Sequence, residues 1–163
     1  MQQLHTLGWD YDEFRSHVQL GDDSHTDFGT EYPIIEDNTD LDNAILGLTH
    51  ELNNAINADA LGGIKNSVIN GSMPIYDFVN ACGLIEVGGL IDQIMVSQDL
   101  HFSNYIPDQL YTMTQAYRQT EFTFAYFQNY VWNNYANQIT VAANHEPIME
   151  YYVDLYNQIQ AQH

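Results

Sequence analysis

Apolar residues recur at helical spacing over most of this chain, and the clearest run spans Asp40 to Asp59. There Leu41, Ile45, Leu48, Leu52 and Ala55 fall on one stripe, widened by Ala44 and Ile56. Asn38, Thr39 or Asp40 can cap its start, where acidic side chains suit the positive end of the helix dipole. Gly62-Gly63 predicts its end near Asp59 to Leu61. Ile64 to Ile69 suits a helical turn or a strand. After a break at Asn70-Gly71, Ser72 and Pro74 start a short helix over Ile75 to Ala81. Gly83 then opens another, in which Leu84, Val87, Ile91, Ile94 and Met95 repeat at three and four. Gly88-Gly89 inside this segment costs helix stability and points to a second helix packed very close.

Beyond a loop over His101 to Pro107, the helical pattern runs to about Asn144, as two helices breaking near Gln119-Thr120. Phe122, Phe124, Tyr126, Phe127, Tyr130, Val131, Trp132, Tyr135 and Ile139 make that stretch apolar on most faces, as a central helix is. Glu146-Pro147 begins a last helix, with Ile148, Tyr151, Tyr152, Leu155, Tyr156 and Ile159 toward the core. Ahead of all this, residues 1–37 read as an irregular or hairpin lead-in. The segment around His17 to Leu20 and the run Tyr32 to Ile35 are possible short strands there, the second blunted by Pro33. The fold class is mainly α: one domain over 1–163, with a helical core from residue 38 and at most a small N-terminal β element.

Length supports that reading, since 163 residues can bury roughly 70% of the unfolded surface in one core. Charge changes the picture more. Twenty-two acidic residues face only Arg15, Lys65 and Arg118, for a net charge of −19. Such a surface is repelled by nucleic acid and by anionic membranes, so neither is an expected partner. A basic protein or peptide, a cationic substrate or a divalent metal fits, as does a plain solvated surface. Cys82 is the only cysteine, so no intrachain disulfide can form, and its apolar setting suits packing. Met1 has no basic and apolar leader behind it, and no run looks apolar enough to span a membrane. The expected location is therefore cytoplasmic, or secreted by a route independent of a signal peptide.

Chemistry concentrates on two segments. His50 and Glu51 sit inside the first helix, as in the metal-binding motif H-E-x-x-H, where two histidines one turn apart hold zinc and the glutamate polarises its water. Four residues after His50 this chain has Asn54. Glu86 lies between Ile85 and Val87, where a carboxylate is costly unless it is paired or bound to metal. Asp92 follows on a neighbouring face. A plainer reading has His50 hydrogen-bonded to Glu86 or to a tyrosine, with Glu51 exposed. Another takes Glu51 with Glu86 or Asp92 as the carboxylate pair of a glycan hydrolase.

The order Thr-His-Glu-Leu, Asn-Asn-Ala, a glycine-rich break, Ile-Glu-Val and Asp-Gln-Ile resembles the zincin-like effector metallopeptidases, toxin domains that bacteria deliver into competitors or hosts. The resemblance covers roughly residues 30–100. It implies peptide-bond hydrolysis with zinc as cofactor, His50 as first ligand, Glu51 as base and Glu86 as the acidic ligand. Asn54 stands where the second histidine belongs, and an amide oxygen is a weak zinc donor. Asp92, His101 or His145 could supply a further donor. Two non-enzymatic alternatives stand beside this: an inactive zincin-like fold used as an acidic binding module, and an acidic immunity or inhibitor protein that masks a basic toxin.

Overall fold

A computed structural model describes residues 16–21, 24–26, 32–37, 40–101, 112, 115, 123–140 and 146–163. They form a small sheet of β1 (Gln19–Gly21), β2 (His25–Thr26) and β3 (Pro33–Glu36), followed by five helices. These are α1 (Leu41–Ile56), α2 (Ala58–Ile69), α3 (Ile75–Leu100), α4 (Phe124–Tyr135) and α5 (Ile148–Ala161), with a 3-10 turn after α4. The fold is mainly helical with a three-stranded N-terminal sheet. The aromatic lead-in around Trp9, the loop to Pro107 and the break at Gln119-Thr120 lie outside the described residues.

The two proposed strand segments are β1 and β3, but the sheet is no simple hairpin. β3 is central, parallel to β1 and antiparallel to β2. Pro33, which lacks an N–H, opens β3 at a strand's first position, where that loss is tolerated. Ile35 and Pro33 are buried, and the sheet covers one side of α1 while α3 covers another.

This double cover explains a departure from the apolar stripe. Leu41, at the helix start, is 73% exposed, while Glu51, Asn53 and Asn54 are buried beside Leu46, Leu52 and Ala55. Asp40 caps α1, its carboxylate accepting the Asn43 N–H at 3.0 Å.

Two expected breaks are absent. Gly62-Gly63 does not stop a helix; it lies inside α2, and the break comes earlier, at Asn57 (φ −95°, ψ 11°). Asn57 secures it by donating its side-chain amide to the Asn53 carbonyl at 2.8 Å. Burial of Leu61 and Val68 carries α2 through the glycines. Nor does Gly83 open a new helix, because Ile75–Leu100 is one helix of 26 residues. The ring of Trp132 occupies the space a side chain at Gly83 would fill. At this length α3 is apolar enough to cross a membrane by length and composition, which corrects the expectation that no run is. Here eleven of its residues are buried, among them Phe78, Val87, Ile91 and Ile94, so it serves as the core helix.

α3, not α4, is therefore central. α4 turns Phe127, Val131 and Trp132 inward but leaves Tyr126 and Tyr130 exposed, since phenol hydroxyls can stay in water. α5 closes the core with Ile148, Tyr152 and Ile159.

Candidate functional site

α1 and α3 pack face to face, and Gly88 and Gly89 sit at a close approach between them. A Cβ on Gly89 would lie 2.7 Å from His50 Nδ1, and one on Gly88 3.1 Å from Asn53 Oδ1. The glycine pair thus lets the polar face of α1 lie on the α3 backbone. Asn53 fixes this seam by donating to the Ile85 carbonyl at 2.8 Å.

At the seam His50 Nε2 meets Glu86 Oε2 at 2.7 Å. The other oxygen of Glu86 accepts the Tyr152 hydroxyl at 2.6 Å and, at the long limit of 3.5 Å, the Asn54 amide. Helical spacing puts His50 and Asn54 one turn apart on one face, so both reach the same carboxylate. Glu51 is only 6% exposed, which removes the reading of it as a solvated residue. Thr26 on β2 donates to its Oε2 at 2.7 Å, so the sheet helps to place it.

Burial alone would push the His50 imidazole down; the Glu86 carboxylate more than offsets that, with help from Glu51 and Asp92, and raises it to about 9. Burial likewise pushes Glu86 up, but the charge and hydrogen bond of His50 outweigh it and hold the carboxyl below its usual range. Glu51 goes the other way. Burial raises it, and the attraction of His50 and the Thr26 hydrogen bond do not fully cancel that. The two carboxyls therefore sit in opposite electrostatic states, Glu86 paired with the imidazole and Glu51 held by Thr26.

The structure brings together His50, Glu51, Asn54 and Glu86, with the charge of Asp92 felt at His50. His101 is elsewhere: it caps the far end of α3 in the left-handed conformation (φ 58°), about 22 Å along the helix from Glu86. His145 lies outside the described residues. Among the described residues no three His, Cys, Asp or Glu side chains converge as a ligand set. A divalent cation would instead take His50 and Glu86 as firm donors; the Asn54 amide turns its nitrogen toward Glu86 and its oxygen toward Asn53, so it would have to flip to serve as a weak third. These residues fit, in that the two firm donor atoms already face each other. The fit is atypical at His50 Nδ1, which has no hydrogen-bond partner among the described residues, where a metal-bound imidazole normally has one. Packing on Gly89 orients the ring instead.

Two contributors were invisible to spacing. Thr26 sits on a two-residue strand, and Tyr152 reads only as one more core tyrosine of α5. The chain matches no family model, no curated protein and no solved structure.

Proposed function

We propose that this chain is a zincin-like domain of the effector or toxin type that hydrolyses peptide bonds at the seam of α1 and α3. The reading rests on one observation above the others: Glu51 is kept buried beside a second carboxylate, in a state its surroundings disfavour. A residue selected only for stability has no reason to stay there. In this reading His50 and Glu86 would hold the cation, zinc by the resemblance, with the Asn54 amide flipped to support it. A cation held there would supply an acidified water and a Lewis acid for the scissile carbonyl. Glu51, its affinity for a proton raised by burial, would serve as the base that accepts a proton from the attacking water and as the acid that returns it to the leaving amine. Thr26 holds one Glu51 oxygen in place meanwhile.

Metal analysis of the purified protein beside a His50→Ala variant tests the reading. Stoichiometric zinc or manganese in the parent, lost in the variant, is the expected result. A metal-free parent would overturn it. A second reading would then lead, in which an acidic domain binds a basic protein without catalysis; the Asn54 amide in a ligand's place and the net charge of −19 favour it.

Glu51→Gln separates the two further. The hydrolytic reading expects peptidase activity to fall by about 100-fold or more. Because burial raises the Glu51 carboxyl, its charged form is disfavoured in the folded state, and the neutral amide should unfold at a higher temperature than the parent at pH 7. A variant that is both less stable and fully active would remove Glu51 as base.

A further inference from the structure

Glu86 has a partner that neither the motif nor the hydrolytic reading requires. Tyr152 comes from α5, far along the chain, and is 2% exposed. Its ring is fixed edge-on by Phe78 (centroids 6.1 Å, 77°) and by Tyr151 (5.1 Å, 70°). These contacts aim one hydroxyl at one oxygen, Glu86 Oε1, at 2.6 Å. Burial and the nearby Glu86 charge push that hydroxyl well above its ordinary range, so it keeps its proton and donates.

The last torsion of a glutamate is broad and roughly two-fold, so an unanchored carboxylate samples many orientations. Anchoring Oε1 removes this freedom and turns Oε2 toward His50. The Asn54 contact, at 3.5 Å, is too long to do it alone. We infer that Tyr152 is a positioning residue: its hydroxyl fixes the Glu86 carboxylate so that Oε2 is presented to His50 and to any cation the pair holds. Its bearing on catalysis rests on the hydrolytic reading, whereas its action on the His50–Glu86 pair does not.

Tyr152→Phe removes one oxygen and keeps the ring. Tyr156→Phe is the control, since Tyr156 also packs on Phe78 but donates to the Met73 carbonyl at 3.1 Å, away from the site. Two readouts apply. Proton NMR reports the low-field imidazole N–H of His50 against Glu86, assigned by its loss in His50→Ala. Titration with Zn2+ reports the affinity of the pair for a cation. Tyr152→Phe should shift or broaden away the His50 signal and weaken Zn2+ binding about 10- to 100-fold, as loss of such supporting hydrogen bonds does. Tyr156→Phe should change neither. An unchanged His50 signal in a folded Tyr152→Phe protein overturns the inference. If the parent binds no Zn2+, the hydrolytic reading falls while the NMR comparison still decides the role of Tyr152. If Tyr152→Phe does not fold, the parent decides it: a slowly exchanging Tyr152 hydroxyl proton with a cross-peak to the His50–Glu86 N–H is expected, and its absence overturns the inference.

Discussion

Glu86→Gln should cost about 3 kcal/mol at neutral pH, roughly 6–12 °C in unfolding temperature for a chain of this length. The substitution keeps the shape of the side chain and removes its charge. His50 then faces burial, which lowers its proton affinity, with only the weaker support of Glu51 and Asp92 in place of the carboxylate that now helps hold it at about 9. The loss should depend on pH with a definite sign. His50 has a raised value in the folded state, so its contribution is complete below 6.5 and is lost as pH rises through about 9. Glu86 has a lowered value, so its contribution is complete above 4.5 and is lost as pH falls through the lowered folded value. The pair is therefore in full force between 4.5 and 6.5. Denaturant unfolding of both proteins at pH 6 and at pH 10 checks this. The gap between them should shrink at the higher pH, and a gap that is constant or widens would mean the ion pair is not what Glu86 contributes.

Much of this pair could be read in the sequence, for a physical reason. A carboxylate between Ile85 and Val87 on a core helix has few acceptable surroundings, and a histidine on the facing helix is one of them. The α1 stripe and its Asp40 cap were legible because they depend on neighbours three and four residues away. What spacing could not show depends on distant partners. Gly83 signals a break locally, yet Trp132 makes it an interior helix residue. Asn57 ends α1 through its own side chain, ahead of a glycine pair that looks like the stronger stop. The polar face of Glu51, Asn53 and Asn54 reads as solvated until a sheet and a second helix are both placed on α1. Spacing thus brought His50, Asn54, Glu86 and the close approach at Gly88-Gly89 into view, and left out two residues that hold the carboxylates, Thr26 and Tyr152.

Gly83→Ala gives the sharpest test of the packing behind this site, because the same change elsewhere should have the opposite sign. In an exposed helix, Gly→Ala stabilises by up to about 1 kcal/mol through backbone entropy. A Cβ on Gly62 or Gly63 meets nothing within 4 Å, so either substitution should show that gain. A Cβ on Gly83 would overlap the six-membered ring of Trp132. That ring cannot swing aside freely. It is buried against Phe127, Val131 and the rest of the core, and its indole N–H donates to Asn80 Oδ1 at 2.9 Å. Overpacking costs about 1–3 kcal/mol, and loss of the indole hydrogen bond adds about 1. Set against the gain in helix propensity, the net loss for Gly83→Ala should be about 1–3 kcal/mol. Chemical denaturation of the three variants measures the signs, and near-ultraviolet circular dichroism reports whether Trp132 has moved. A Gly83→Ala protein as stable as its Gly62→Ala counterpart would mean that α4 does not press on α3 there. The residues one turn further along α3, Glu86 among them, would then owe their placement to α1 and α5 alone.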